Sequence, residues 1–209
     1  IERAGDVIPK VVKVVKDKRP KGTRPFHIPD TCPVCSHQAY RSEGEAIWRC
    51  GNISCPRQVK GRIQHFASKL AMNIDGLGEK VVDQLVEEGY VNSITSLYSL
   101  NQDELAGLER LGEKSANNLI QAITGSKKTT FARFVFALGI RNVGEHVAKL
   151  FENYFSGDLS RFIQTSTDEL EALDGVGPVG AKNVVQFWAD PSNKKIVYTC
   201  LDMGVTLAK

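Results

Sequence analysis

The 209-residue sequence has no apolar run long enough to cross a membrane, and it opens with no secretory signal. Its first residues (IERAGD) do not resemble a translation start either, so we expect a cut fragment. Apolar residues make up 42% of the sequence and charged residues 24%. This composition predicts a soluble chain that folds as two or three small domains.

The sequence also lacks a catalytic set. Its four histidines lie far apart, and none has a convincing nucleophile or carboxylate partner in a local motif. It has no phosphate-binding Walker loop and no carboxylate cluster suited to two metals. A nucleotidyl-transfer lysine would stand in Lys-x-Asp-Gly, but the nearest strings are 73–76 (NIDG) and 172–175 (ALDG). We therefore predict no catalytic residue and expect the chain alone to be inactive.

A repeat runs through most of the sequence. Residues 74–80 (IDGLGEK) return as 108–114 (LERLGEK), 140–146 (IRNVGEH) and 173–179 (LDGVGPV), at steps of 34, 32 and 33 residues. Such a period indicates one supersecondary unit used four times. We name these copies hairpins one to four.

Each copy follows a short helix-competent segment and precedes a run with helical spacing, which predicts a helix, a tight turn and a second helix. The glycines allow positive φ and close approach of another backbone. Amides at the start of the second helix point outward with the positive end of its dipole, and a phosphate suits such a site. The alternative is an ordinary α-helical bundle whose glycines serve only as caps.

The repeat resembles the helix-hairpin-helix motif, which grips DNA backbones without reading sequence. Hairpins one and four have both motif glycines, whereas Arg110 and Asn142 replace the first glycine in hairpins two and three. Asn tolerates positive φ better than Arg, so we expect a modified turn in hairpin two. The closing basic residue is a lysine in hairpins one and two and a histidine in hairpin three, and Val179 stands there in hairpin four. The resemblance implies that DNA is bound by Gly76, Gly78, Lys80, Arg110, Gly112, Lys114, Arg141, Asn142, Gly144, His146, Gly175 and Gly177.

Four of the five cysteines form two knuckles. Two residues separate Cys32 from Cys35, and, fourteen residues later, four residues separate Cys50 from Cys55. With a short β-hairpin between the knuckles, this spacing suits a tetrahedral thiolate zinc site. Two disulfides are the alternative, although the odd Cys200 and the lack of a signal favour a reducing compartment. A four-sulfur shell leaves no position for water, so the zinc would be structural, and the module has too little core to fold without it.

The beginning of the chain is basic. Its first 65 residues carry 13 Lys and Arg against 6 Asp and Glu, and the remaining residues carry 14 against 18. Residues 7–15 are valine-rich and predict a strand, which could not fold alone and would belong to a larger sheet. A proline-punctuated basic linker follows and should be extended and exposed, either as a solvated connector or in contact with phosphates.

Two further helices frame the repeats. One should run from Cys55 through Leu70, and the other should span residues 194–203 and bury Cys200 as a small apolar residue. Phe187 and Trp188 fit a core better than a base-stacking surface.

The whole assembly resembles the C-terminal half of bacterial NAD-dependent DNA ligases. The resemblance rests on the four-cysteine module and on 3–10 (RAGDVIPK), 55–58 (CPRQ), 65–66 (HF), 71–78 (AMNIDGLG), 107–110 (GLER), 112–116 (GEKSA) and 136–141 (FALGIR). It implies a mainly α fold with the terminal strand of an oligonucleotide-binding (OB) fold and a basic linker in residues 1–29. Residues 30–57 would form a four-cysteine zinc finger, and residues 58–209 a helix-hairpin-helix domain with four repeats.

The same resemblance implies that this chain is the DNA-binding portion of a nick-sealing enzyme of replication and repair. NAD-binding, adenylation and most of the OB domains would lie upstream, with a BRCT domain downstream. NAD and Mg²⁺ would serve the full enzyme, and this chain would hold only structural Zn²⁺. The resemblance implies nicked double-stranded DNA as the partner and no binding to a membrane. It also implies a monomer in the bacterial cytoplasm, associated with the nucleoid.

Two other functions remain open from the sequence. One is a DNA-binding module of a repair nuclease or recombination subunit, which should lack a zinc module joined directly to the first hairpin. The other is a helical scaffold for protein interactions, which would be indifferent to DNA.

Overall fold

The computed structural model describes residues 1–5, 8–41, 46–52, 55–109 and 111–208. The described chain is mainly helical, as the sequence predicts. It divides into two compact units, the first comprising Ile1–Pro33 with His37–Gly51 and the second Val34–Ser36 with Asn52–Lys209. None of the helices in the described ranges is long and apolar enough to span a membrane.

The first unit contains two small antiparallel sheets. Strands β1 (Glu2–Ala4) and β2 (Ile8–Lys10) pair with Glu2 opposite Lys10. Strands β3 (Ala39–Tyr40) and β4 (Arg49–Cys50) pair with Ala39 opposite Cys50. This second pairing is the short hairpin predicted between the two cysteine knuckles.

The strand predicted over residues 7–15 is wrong in extent, because β2 covers only Ile8–Lys10. Val7 lies outside the described residues, and β2 pairs over its three residues with β1, where the pairing ends at Glu2 opposite Lys10. Val11 and Val12 are 69% and 58% exposed, so burial gives no other reason to continue the strand. A 3₁₀ turn, Lys16–Lys18, follows, and the basic linker after it is exposed, as predicted.

The second unit repeats a helix, a turn and a helix four times. The first helices are α1 (Pro56–Ala67), α3 (Gln102–Ala106), α5 (Phe131–Ala137) and α8 (Thr167–Glu171). The second helices are α2 (Glu79–Glu87), α4 (Glu113–Ser126), α6 (Glu145–Phe155) and α9 (Pro178–Ala189). The predicted supersecondary unit is therefore confirmed in all four copies.

Both framing helices differ in length from the prediction. Helix α1 ends at Ala67, because Ser68 takes extended ψ, and Leu70 is 52% exposed. Helix α10 (Pro191–Asp202) begins three residues earlier than expected. The Asp190 carboxylate accepts from the amide of Ser192, and proline at the first helical position has no amide to satisfy, so the helix start is stabilised there.

Three connecting elements gave no clear sequence signal. They are a 3₁₀ helix (Thr95–Ser99), helix α7 (Leu159–Ile163) and the parallel pair β5 (Lys128–Thr130) and β6 (Thr206–Ala208). The pair joins the end of the described chain to the segment between hairpins two and three, where the Thr206 amide donates to the Lys127 carbonyl at 2.7 Å.

An aromatic cluster forms the core around hairpins three and four. The Phe162 ring centroid lies 5.5 Å from that of Phe131, 5.0 Å from that of Phe151 and 5.5 Å from that of Trp188. Trp188 is 3% exposed and Cys200 is fully buried, so both are core residues, as predicted. Each large buried side chain contributes about 1.5–3 kcal/mol through the hydrophobic effect.

Candidate metal centre and nucleic-acid interface

The structure brings together the four cysteines of the two knuckles. The Sγ atoms of Cys32, Cys35, Cys50 and Cys55 all lie within 4.8 Å of one another. In a tetrahedral zinc site with Zn–S bonds of about 2.3 Å, the sulfurs are about 3.8 Å apart. Donor type, number and spacing therefore fit a structural zinc ion after a small contraction of the cluster.

Local backbone geometry turns each knuckle toward the cluster. In the first knuckle, the Cys32 amide donates to the His37 carbonyl at 2.7 Å, and Ser36 takes a left-handed φ of 58° that reverses the chain. In the second, Cys55 is the N-cap of α1 and its amide donates to the Asn52 carbonyl at 3.0 Å. The positive end of the α1 dipole there favours a thiolate.

Hairpins one, three and four use the same turn, and hairpin two has the same closing hydrogen bond. A hydrogen bond joins the first and fourth turn residues in every copy: Leu77 to Ile74, Leu111 to Leu108, Val143 to Ile140 and Val176 to Leu173. The third residue is left-handed, with φ of 86° at Gly76, 62° at Asn142 and 91° at Gly175. This is a type II turn, in which a left-handed third residue favours Gly or Asn. Arg110, at this position in hairpin two, lies outside the described residues.

The second glycine of each hairpin does not have the positive φ that the sequence suggested. Gly78, Gly112, Gly144 and Gly177 have φ between −77° and −84° and extended ψ. A Cβ added at any of them would meet no atom within 4 Å. The fold therefore does not require glycine here, and its effect is to leave the space in front of the helix start open.

Helix capping distinguishes the second helices of the four hairpins from five other helices. The side chains of Asn101, Thr130, Asp158, Ser166 and Asp190 accept from the first amides of α3, α5, α7, α8 and α10. Helices α2, α4, α6 and α9 have a glycine N-cap, which has no side chain to do so. In α2 the first helical bond runs from the Val82 amide to the Gly78 carbonyl, so three amides precede it. Four helix starts thus present amides to an external acceptor.

The predicted polar contacts of the hairpins are all exposed where the structure describes them. Lys80 and Lys114 lie in the first turns of α2 and α4, and His146 in that of α6, while Arg141 and Asn142 lie in the turn of hairpin three. Each therefore stands beside one of the glycine-capped helix starts.

Sequence reasoning missed Lys182 as a possible phosphate contact. It is exposed and stands five residues after Gly177, whereas Lys80 stands two residues after Gly78. Positions three apart share one helix face, so Lys182 lies on the same face as Val179 and has the positive charge that Val179 lacks. Lys182 could have been found from the sequence by aligning the second helices of the four hairpins beyond the seven-residue turn motif.

First-turn acids modify the charge of the hairpins. Glu79, Glu113 and Glu145 begin α2, α4 and α6, whereas Pro178 begins α9, whose first turn contains no acidic residue. Lys149 Nζ lies 2.7 Å from Glu145 Oε1, and this hydrogen bond and charge hold the pKa of Glu145 below its usual value. The start of α9 is therefore the least acidic of the four.

Three family models match the chain. Residues 31–56 match the NAD-dependent DNA ligase C4 zinc finger domain, residues 68–124 the SAM-like helix-hairpin-helix tandem, and residues 133–197 the helix-hairpin-helix motif. The first match contains the cysteine cluster, and the other two contain the four turns. A ligase zinc finger beside the repeats favours a ligase over a repair nuclease or a recombination subunit.

Curated relatives match the chain along its length. The DNA ligase of Methylococcus capsulatus is 46% identical over 210 residues, covering 100% of this chain and 31% of that protein. The DNA ligase of Halothermothrix orenii is 46% identical over 99% of this chain and 31% of its own length, and that of Hahella chejuensis is 47% identical over 99% and 30%. The chain thus spans about a third of these relatives. These matches show that the chain belongs to the DNA ligase family, with the zinc finger of the NAD-dependent members followed by helix-hairpin-helix tandems.

Proposed function

We propose that this chain is the DNA-gripping part of an NAD-dependent DNA ligase that seals nicks in duplex DNA in replication and repair. The observation that carries the proposal is the set of four glycine-capped helix starts. Each follows a turn closed by a hydrogen bond between its first and fourth residues. Phosphate oxygens are suitable acceptors for the amides there, because the helix dipole adds a favourable charge.

The gripping surface would consist of hairpin tips and not of a broad basic patch. Residues 66–209 carry 14 Lys and Arg against 18 Asp and Glu, so overall charge does not attract DNA to this region. Affinity would come from the amides and from cations beside them, such as Lys80, Lys114 and Lys182. Backbone contacts of this kind position the duplex and carry no sequence information.

The cysteine cluster would hold one structural zinc ion through four thiolates. Bound zinc supplies folding free energy to a module with little core of its own. Cys55 would also fix the start of α1, because it is both a metal ligand and the N-cap of that helix. The proposed division is residues 1–29 as the end of an OB fold and linker, 30–57 as the zinc finger and 58–209 as the helix-hairpin-helix domain.

Chemistry would take place elsewhere in the enzyme. NAD and Mg²⁺ would serve the adenylation domain, while this chain holds the nicked duplex so that the protein can close around it. The setting we propose is the bacterial cytoplasm at the nucleoid, with the enzyme acting as a monomer.

Binding of the full-length protein to nicked duplexes of unrelated sequence tests this function. If about four to six phosphates are neutralised, the logarithm of the association constant should fall with that of salt at a slope of about −4 to −5. Affinities for different sequences should agree within about threefold. A slope near zero, or strong preference for one sequence, would contradict a backbone grip.

A further inference from the structure

At one position of the second helix, hairpins one, two and four carry an amide side chain, and those of hairpins one and four are Gln84 and Asn183. Gln84 stands six residues after Gly78, and Asn183 stands six residues after Gly177. Hairpins one and four are the copies that keep both motif glycines.

Each of these amides hydrogen-bonds to the turn of a neighbouring hairpin. Gln84 Nε2 donates to the Glu109 carbonyl in hairpin two at 3.3 Å. Asn183 Nδ2 donates to the Arg141 carbonyl in hairpin three at 3.3 Å and to Asn142 Oδ1 at 2.8 Å. Glu109 and Arg141 are both the second residue of their turn, so the same bond is made twice. A carbonyl can only accept, which fixes the nitrogen of each amide toward the turn.

Hairpin one pairs with hairpin two, and hairpin four with hairpin three. In each pair the glycine-containing turn also packs against its partner's second helix. A Cβ added at Gly76 of hairpin one would lie 3.7 Å from Leu119 of α4, and one at Gly175 of hairpin four would lie 3.1 Å from Leu150 of α6. A glycine-containing turn thus rests on its partner's second helix, while its own second helix donates to the partner's turn.

The partner turns are the ones that lack the first glycine. Asn142 holds a left-handed φ of 62°, which is less favourable for Asn than for Gly, so this turn needs support from its surroundings. Asn183 bonds both to the carbonyl before Asn142 and to the Asn142 side chain. We infer that Gln84 and Asn183 are positioning residues that hold hairpins two and three in the shape that binds phosphate, an inference that rests on the proposed function.

Removing the Asn183 donor without adding charge tests this inference. Asn183→Leu keeps the branched shape of the side chain, and Leu150 shows that the larger leucine fits this register. NMR order parameters of residues 142–144 should fall from about 0.85 to below about 0.6, and those of hairpin one should not change. Affinity of the full-length protein for nicked duplex should weaken by about fivefold.

Two matched variants separate positioning from general destabilisation. Asn183→Gln retains an amide donor, which Gln84 shows can reach the equivalent carbonyl, so order and affinity should stay near parental values. Asn118→Leu makes the same substitution at an exposed residue in the same register of hairpin two and should change neither. Should Asn183→Leu fail to fold, Gln84→Met tests the equivalent bond between hairpins one and two. The order parameters of Leu111 and Gly112 are then measured.

Unchanged order parameters at residues 142–144 in Asn183→Leu would overturn the inference. An equal fall of these order parameters in Asn183→Gln would overturn it too. If the order parameters respond as expected but the parent protein does not bind DNA, the proposed function fails and the bracing of the turns stands.

Discussion

His65 Nε2 lies 2.7 Å from the carbonyl oxygen of Phe136, and the two rings meet edge to face with centroids 4.8 Å apart. This contact joins α1, which begins in the cysteine module, to α5, which leads into hairpin three. His65 Cδ2 also faces Gly139, where an added Cβ would lie 3.4 Å away. A histidine at the end of α1 thus fixes where hairpin three begins.

Substituting His65 should destabilise the helical unit in two steps. His65→Phe keeps the ring contact but removes the hydrogen bond, and should lower the free energy of unfolding by about 1 kcal/mol. His65→Ala removes both and should cost about twice as much. Urea unfolding followed by helical circular dichroism measures both values, and a cost near zero for His65→Phe would show that the hydrogen bond is not important.

Loss of one cysteine ligand should release the zinc. Cys35→Ser should bind less than about a tenth of the parental zinc and unfold residues 30–57 while most helical signal remains, because the module depends on the metal. Metal content by mass spectrometry, with circular dichroism, measures this. The matched control is Cys200→Ser, since Cys200 is buried away from the cluster and burial raises the pKa of its thiol to about 12. Zinc retained in Cys35→Ser, or lost in the control, would contradict the assignment.

Hairpin four should lose stability in acid through Glu169. Hydrogen bonds from Thr165 and Arg161 hold the pKa of Glu169 below its usual 4.5, against an opposing effect of burial. A lowered pKa means that this contribution is complete above pH 4.5 and is lost as pH falls through the lower folded-state value. Glu169→Gln should therefore flatten the pH dependence of unfolding below 4.5. The exposed Glu171→Gln on the same helix should leave it unchanged, and equal slopes in all three proteins would refute the role of Glu169.

Lys182 should contribute one phosphate contact to DNA binding. Lys182→Ala should weaken binding by a similar factor for all sequences and make the salt slope shallower by about 1, because one fewer counterion is released. Lys195→Ala makes the same charge change on α10, outside the four hairpins, and should leave the slope as it was. Identical slopes for parent and Lys182→Ala would exclude this contact.

Local signals made the repeat and the cysteine cluster predictable. Each turn motif and each cysteine knuckle lies within a few residues, and short-range hydrogen bonds such as that from Cys32 to His37 close them. The bond from Asn183 to Arg141 was not predictable in this way, because it spans 42 residues and depends on which hairpins pack together. The same holds for the β5–β6 pair. The valine-rich strand failed because its length depends on the partner strand and not on its own composition.

The central claim is that the open space before the four helix starts receives DNA phosphates, and valine at the second glycines tests it most directly. Gly78→Val, Gly112→Val, Gly144→Val and Gly177→Val place their side chains in space that is empty within 4 Å, with extended backbone at each site. Poorer N-capping should cost no more than about 1 kcal/mol in each case. Gly61→Val, at an exposed and open position of α1, is the control.

The measurement is the affinity of full-length variants for nicked duplex, made only on variants with unchanged helical content and a melting temperature within about 5 °C of the parent. The account predicts that affinity falls at least fivefold wherever the hairpin contacts DNA, and that Gly61→Val binds like the parent. If all four hairpin variants stay folded and bind as tightly as the parent, the hairpins are structural turns and the claim is wrong.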